Sequence, residues 1–548
     1  MQKHSSFRRL ADFNVDGKRL ALVTALAVVV GIVGALLAKL LLWLIGEMTH
    51  LAYFGRFGAT LIQPDPRHWG PIAVAIPVLG ALLVGLIARY GSEKIRGHGI
   101  PEAIQSILEG NSVIQARVAF FKPLASAIAI GTGAPFGAEG PIIMTGGAFG
   151  SLFAQYLRLS AIERRTLLVA GAAAGMSATF GAPIASVFIA VELLLFEWRP
   201  RSFIPVVVAS FVADALRSAI ISTQPPFIST ISHAHGPSLF GWALLVGLCG
   251  GVVSMVMTKL VYLAEDAYER LPIHWMWWPA IGGLFVGLGG SLVPAALGVG
   301  YPTIGALVNG ELAVGAAVGI IVVKILIWIL SLSSGTSGGV LAPLLMIGAA
   351  MGTIAAQVIP GHDAGLWAIV GMAALMGGTM RAPFMGTLFA LETTHAWNLS
   401  PEIFLGCVAA TAFTVVFVPR SILTEKLARR GTHVAREYAV DSLESLSVEA
   451  IVRPIEREGE PPRASISIDS RIRTAADLLA SSGERTLAVI DREGRWVGTV
   501  GSEEIVRAFS LSLQADRPER VRKTGVARLF SPGRHSLSVR SRGGGERP

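Results

Sequence analysis

The chain repeats itself. Residues 171–194, GAAAGMSATFGAPIASVFIAVELL, return about 200 positions later as GMAALMGGTMRAPFMGTLFALETT at 371–394. Gly171 pairs with Gly371, Met176 with Met376, Ala182-Pro183 with Ala382-Pro383, and Glu192 with Glu392. A second pair of segments, 122–150 and 324–352, keeps nearly the same spacing. It aligns Lys122 with Lys324, Gly133 with Gly335, Gly137 with Gly339, Pro141 with Pro343, Met144 with Met346 and Gly150 with Gly352. Two blocks matching in the same order mark a duplicated unit, because shared apolar composition would not align Lys, Glu and Pro. In an apolar chain, a duplicated helical unit broken by Gly and Pro points to a transporter whose site lies between the halves.

The chain is apolar enough for that reading: 52% of its 548 residues are hydrophobic and 15% charged. Mean hydropathy is +0.59. Apolar runs lie at 20–46, 71–89, 203–221, 240–263, 277–298, 313–332, 341–359 and 402–418. Several reach the roughly 20 residues that a bilayer span needs. Shorter, Gly-broken pieces are tolerated at membrane depth only where protein buries them or they line a cavity. The expected fold is an all-α polytopic membrane protein over 20–430, with re-entrant segments and repeat halves near 71–220 and 277–430.

Charge orients it. Lys3, Arg8, Arg9, Lys18 and Arg19 precede the first run, and Arg420, Lys426, Arg429 and Arg430 follow the last. The positive-inside rule then puts the 1–19 segment and the C-terminal region in the cytoplasm, across a bacterial inner membrane. The net charge of +9 reads as topology and attraction to anionic lipid. No stretch with stacking aromatics supports a nucleic-acid partner, and no cleavable signal peptide is evident. Cys249 and Cys407 both fall in apolar helices, without metal or disulfide spacing, and read as packing residues. No cofactor is expected.

Beyond a polar linker at 431–447 lies a small α/β module at 448–510. ASISID (464–469) reads as a strand, RIRTAADLLASSG as an amphipathic helix, TLAVID and RWVGTVG as strands about the turn Arg492-Glu493-Gly494, and SEEIVRAF as a helix. The stretch 511–548, rich in Arg, Ser, Gly and Pro, reads as a basic disordered tail.

Three glycine-rich breaks carry the chemistry: Gly97-His98-Gly99-Ile100-Pro101-Glu102, Gly137-Ala138-Glu139-Gly140-Pro141 and Gly338-Gly339-Val340-Leu341-Ala342-Pro343. Each sets Pro at a helix start, where it fits the first turn. Helix N-termini leave free N–H groups and carry partial positive charge. Several aimed at one point inside a membrane make an anion site without a full cation, so the anion can leave again. Glu139 is an ionisable group between apolar flanks, where a lone charge costs at least a few kcal/mol. Burial disfavours its charge and neighbouring N–H groups favour it. Such a carboxylate either occupies the anion site and leaves when protonated, or caps its own helix. Lys122 and Lys324 read as snorkelling or carbonyl-capping cations rather than guides for anions. The duplication of Glu192 as Glu392 favours a structural role for both.

The three breaks, in this order around duplicated helices, resemble the CLC family of chloride channels and chloride/proton exchangers over roughly residues 20–430. The resemblance implies about eighteen helical segments in antiparallel halves. It also implies a homodimer with one pore per subunit, joined through helices near 184–198, 203–220, 382–394 and 402–417. It makes Glu139 the external gate and gives Gly140, Val340 and Leu341 to the anion site as N–H donors. Gly99 and Ile100 belong to the opposing loop. Three positions depart from the family. His98 stands where the family carries an anion-binding Ser, and it can donate a hydrogen bond or carry a proton. Leu423, in Ser421-Ile422-Leu423-Thr424, replaces the pore tyrosine, and Leu193 replaces the internal proton-relay glutamate. The implied function is chloride (or related anion) transport. The two leucines tilt it toward a passive, voltage-gated channel, with coupled chloride/proton antiport as the alternative.

The module resembles a CBS domain at Ala488-Val489-Ile490-Asp491 and on to Gly498. CBS domains pair, so one copy implies pairing across a dimer. Gly501 and Glu504 replace the usual nucleotide-binding residues after Gly498, so assembly is expected rather than nucleotide binding. An intramembrane enzyme built on Ser337 with His233 or His235 lacks a suitably spaced base, so the chain is not expected to be an enzyme. A divalent-cation transporter would need acidic clusters in its spans. A non-transporting sensor would leave the repeat and Glu139 unexplained.

Overall fold

The computed structural model describes residues 16–195, 197–231, 237–360, 363–431, 447–454, 461–491 and 493–515. They form two compact units, one of residues up to Tyr438 and one of residues from Ala439 on. Of the sequence-based expectations, His233, His235, Arg492, most of the linker and the tail beyond 515 lie outside the described residues.

The first half of the membrane unit holds α1 (Gly17–Phe54), α2 (Ala75–Tyr90), α3 (Ile100–Leu108), α4 (Ala116–Gly131), α5 (Glu139–Tyr156), α6 (Ala161–Phe180), α7 (Pro183–Ile189) and α8 (Pro200–Ile220). The second holds α9 (Pro237–Glu269), α10 (Trp278–Leu292), α11 (Tyr301–Val308), α12 (Val314–Ser333), α13 (Leu341–Ala355), α14 (Ala364–Met380), α15 (Pro383–Thr394) and α16 (Ser400–Phe417). A final helix, α17 (Ile422–Arg429), follows. The halves match helix for helix, and they run in opposite directions. One cavity gathers Glu93 and Arg96, the end of α9 (Glu265, Glu269) and the end of α17 (Lys426, Arg430). Another gathers Gln63 beyond α1, Pro226 before α9 and the 298–302 loop. So α1 ends on the face where α9 begins, the inverted arrangement of duplicated transporters.

Small residues set the packing. A Cβ on Gly150 of α5 would lie 2.0 Å from the Leu167 carbonyl of α6. Its duplicate, Gly352 of α13, would place one 1.8 Å from the Trp367 carbonyl of α14. Close backbone approach at small residues is how membrane helices gain contact without a hydrophobic drive between them. The helices so joined are the interior ones: α14 is buried along almost all its length and α6 from Thr166 to Phe180.

Among the described residues, six helical stretches are long and apolar enough to cross a bilayer. α1, at 38 residues, is about 57 Å long and must tilt or project. Two runs expected at 277–298 and 341–359 form shorter helices. α10 stops at Leu292 and a 3-10 turn, Pro294–Ala296, follows. α13 stops at Ala355. Hydropathy sees continuous apolar chain there, but backbone turns are satisfied inside the protein. Cys407 is buried as expected, whereas Cys249 is exposed. The outward face of a membrane helix is as apolar as its inward face, so composition does not separate the two.

The second unit comprises β1 (Arg453–Pro454), β2 (Ser465–Ser467), α18 (Ile472–Ser482), β3 (Thr486–Ile490), β4 (Trp496–Gly501) and α19 (Ser502–Ala515). The sheet order is β1-β4-β3-β2, with β2 parallel to β3 and the other pairs antiparallel. Val448, Ile466, Ile472, Leu487, Val489, Val500 and Ile505 form its core. At the β3–β4 turn, Asp491 accepts hydrogen bonds from the N–H groups of Arg495 (2.8 Å) and Glu493 (3.0 Å). The Arg495 N–H first among these holds the Asp491 carboxyl below the usual carboxylate range. β1, two exposed residues, carries no alternation for the sequence to reveal.

Candidate anion site

The site is made of loops held by backbone bonds. Gly137 N–H donates to Gly339 O (3.2 Å) and Gly339 N–H donates to Gly137 O (2.9 Å). These two glycines are duplicates of each other, so the bridge lies where the halves meet. Gly97 N–H donates to Gly335 O (3.3 Å) and Gly338 N–H to Gly97 O (3.4 Å), which fixes the third loop against the other two.

Two fully buried lysines brace this frame. Lys122 Nζ donates to Ile95 O (2.8 Å) and Gly97 O (2.5 Å). Its duplicate, Lys324 Nζ, donates to Ala296 O (2.8 Å) and Gly298 O (3.0 Å). Neither snorkels; both cap loop carbonyls. Glu192 and Glu392 act likewise between halves. Glu392 accepts from Ile184 N–H (2.9 Å) and Ala185 N–H (2.7 Å) at the start of α7. Glu192 accepts from Phe384 N–H (3.3 Å) and Met385 N–H (2.8 Å) at the start of α15. Each carboxylate meets the positive end of a helix from the opposite half.

Glu139 is the first residue of α5 and is fully buried. Among the described residues, neither of its carboxylate oxygens has a hydrogen-bond partner. Its Oε2 lies 1.8 Å from where a Cβ on Gly137 would sit and 2.5 Å from one on Gly339. The carboxylate is therefore folded over the Gly137–Gly339 bridge, in space that only glycine leaves open. Gly140 N lies 2.9 Å from that same Gly339 position. Val340 caps α13 and Leu341 opens it, both buried. Glu139, Gly140, Val340 and Leu341 are thus brought to one place, where two helix N-termini converge.

On the other side stands the 97–99 loop. Gly99, at φ +88°, caps α3, which Ile100 opens. A Cβ on Gly140 would lie 2.0 Å from the His98 carbonyl, so this loop presses directly on the start of α5. His98 is 3% exposed and its Nδ1 has no partner. Leu193 and Leu423 are fully buried. Leu193 lies in a π-helical stretch, Ala190–Leu195, and Leu423 in α17, and both elements pack on α3. Two of the departures noted in the sequence are thus buried leucines on elements packed against α3, the helix that the 97–99 loop opens. Ser337 Oγ bonds Ser126 Oγ at 2.8 Å, and its proposed histidine partners lie outside the described residues.

Two cavities approach the site from opposite faces. One, of about 710 Å³, is lined by Arg96, Glu102, Met144, Lys426 and Arg430 among others. Glu102 there pairs with Arg430 (3.2 Å) and Lys426 (3.7 Å). The other, of about 310 Å³, is lined by Thr49, Gln63, Gly298, Gly300 and Tyr301 among others. A fourth loop thereby enters, which the sequence reading passed over. Gly298-Val299-Gly300-Tyr301-Pro302 repeats Gly97-His98-Gly99-Ile100-Pro101. Gly300, at φ +78°, caps α11 as Gly99 caps α3. The shared Gly-x-Gly-x-Pro spacing was the available signal.

A family model described as voltage gated chloride channel matches residues 79–415. An H(+)/Cl(-) exchange transporter, ClcA, from Salmonella typhimurium is 30% identical over 448 residues, covering 78% of this chain and 92% of the relative. Another from Salmonella gallinarum is 30% identical over 461 residues, covering 81% and 95%. Among solved structures, a slow cyanobacterial Cl-/H+ antiporter aligns with TM-score 0.67 at 21% identity, over 75% of this chain and 98% of the other. A eukaryotic CLC transporter aligns with TM-score 0.63 at 20% identity, over 90% and 89%.

Proposed function

The chain belongs to the voltage-gated chloride channel (CLC) family of membrane transport proteins, and from that membership we propose that it exchanges chloride for protons, with Glu139 as the gate. The relatives' names favour coupled exchange over the passive channel to which Leu193 and Leu423 pointed. The observation that carries the proposal is the Glu139 carboxylate, buried without a hydrogen-bond partner over the Gly137–Gly339 bridge.

The mechanism follows from competition. A carboxylate and a chloride both seek the N–H groups of Gly140, Val340 and Leu341, and one site does not hold both anions. A proton delivered to Glu139 removes its claim on those dipoles, so the neutral side chain leaves and chloride takes its place. Loss of the proton sends the carboxylate back and the chloride out. Because helix dipoles rather than a full cation hold the anion, release remains fast. Lys122 and Lys324, already bonded to carbonyls, hold the loops and do not trap the anion.

The inner proton path must avoid Leu193. His98, whose carbonyl presses on the start of α5 and whose Nδ1 has no partner among the described residues, is the titratable group on the 97–99 loop, and we assign it both anion contact and proton relay. Passive conduction is retained as the second reading on one observation, the apolar pair Leu193 and Leu423. We further propose that both termini face the cytoplasm of an inner membrane. Two copies pair through the aromatic face where Phe188, Phe384 and Phe404 meet at tilted angles (5.5 and 5.8 Å between centroids), Phe384 and Phe404 being exposed. The CBS-like module serves assembly, not nucleotide binding.

The test is flux from chloride-loaded proteoliposomes, with external chloride and pH followed together. Chloride efflux that drives protons inward against their gradient is the expected outcome, and Glu139→Gln is expected to abolish both the coupling and the pH dependence of flux. Efflux with protons at equilibrium in the unaltered protein would establish the passive reading. Intact pH dependence in Glu139→Gln would remove Glu139 from the gate.

A further inference from the structure

Protonated Glu139 must go somewhere when it leaves the site, and the destination has to offer a polar partner inside an apolar wall. The fourth loop supplies one. Tyr301 opens α11 and lines the 310 Å³ cavity, on the face opposite Glu102 and Lys426. Its ring is clamped edge-on by Phe180 (5.9 Å) and Phe227 (5.5 Å). Its hydroxyl is buried and, among the described residues, has no hydrogen-bond partner. A buried hydroxyl left unpaired is costly, so the position calls for a partner.

The duplication says where that hydroxyl stands. The 97–99 loop bounds the Gly137–Gly339 bridge on one face. Its duplicate, 298–300, stands on the other face by the same inverted relation. Lys324 holds it there through the carbonyls of Ala296 and Gly298, as Lys122 holds Ile95 and Gly97. Position 301 thus corresponds to Ile100 of the inner loop, and Tyr in place of Ile adds a polar atom to the outer side alone. Among the described residues, Tyr301 from α11 and Lys324 from α12 interact electrostatically with Glu139. Lys324 is already committed to two carbonyls.

We propose that Tyr301 is a positioning residue for the gate: its hydroxyl receives the protonated Glu139 carboxyl when that side chain swings out of the anion site. The proposal rests on the gating role given to Glu139 above. In the open state the two groups share one hydrogen bond, and in the closed state the hydroxyl waits unpaired. Removing the hydroxyl therefore penalises only the open, protonated state, and more acid is needed to open the gate.

The experiment compares Tyr301→Phe with the unaltered full chain in proteoliposomes, measuring chloride flux against external pH. A single neutral hydrogen bond of about 1 kcal/mol corresponds to a shift of about 0.7 pH unit. The expected result is a midpoint moved to lower pH by about that much, with no effect of Tyr301→Phe in a Glu139→Ala background. An unmoved midpoint, or equal slowing in the Glu139→Ala background, would overturn the proposal. If Glu139→Ala alone leaves pH dependence intact, the gating role itself fails, a distinguishable result. A structure of Glu139→Gln gives an independent reading. Its side-chain amide should lie outside the anion site within about 3.2 Å of the Tyr301 hydroxyl; an amide docked outward on other atoms would refute the assignment.

Discussion

Lys122 shows how far a single residue can be read from sequence. Its duplication as Lys324 and its apolar flanks announced a snorkelling or carbonyl-capping cation, but not which carbonyls it caps. The structure ties it to Ile95 O and Gly97 O, at the root of the loop that carries His98. Lys122→Met keeps the stem and leaves two buried carbonyls unpaired. The expected loss is on the order of 3 kcal/mol, read as a lowered thermal midpoint in detergent, with flux per folded molecule falling as the loop loosens. Lys324→Met should behave the same way. Glu139 was legible because an ionisable residue between apolar flanks next to a helix-starting Pro has few bland explanations. Tyr301 was not, because a tyrosine in an apolar stretch is unremarkable until its hydroxyl is seen to be buried without a partner.

Among the elements, those that alternate clearly or repeat were readable. Glycine-broken starts predicted α3, α5 and α13, and period-two alternation predicted β3 and β4. Lengths were less so: α10 and α13 end early because loops fold back inside the protein, which an apolar run does not betray. The packing of α13 on α14 belongs to this scale as well. Gly352 lies so close to Trp367 O that any side chain must push the helices apart. Gly352→Leu is expected to cost more than the usual 1–3 kcal/mol of overpacking, because the obstacle is backbone. Size-exclusion chromatography of the solubilised protein should show loss of the folded peak, and Gly150→Leu should do the same in the first half. By contrast Gly241, which has open space around it, should accept alanine with no change.

For the whole molecule, the two compact units imply separable duties. A chain ending at Tyr438 retains every loop and lysine of the site and should keep glutamate-gated chloride flux, measured in the same vesicles. Flux lost on that truncation would give the α/β module a role in transport beyond assembly. Charge placed on the exposed aromatic face, as in Phe384→Arg with Phe404→Arg, should yield monomers by light scattering while flux per chain persists. The sequence by itself determined the membrane class, the duplicated architecture and the family, and singled out Glu139, the gate proposed above, because periodicity, hydropathy and ordered motifs are local quantities that survive without coordinates. Only the tertiary structure decided what the loops do to one another: which glycines touch, which carbonyls the lysines hold, which half caps which helix, and that the Tyr301 hydroxyl is buried beside a cavity. The glycine bridge and the glutamate caps join residues about 200 positions apart, brought together by an inverted relation that no single segment carries, and the lysines reach carbonyls on neighbouring loops that only the folded chain brings near.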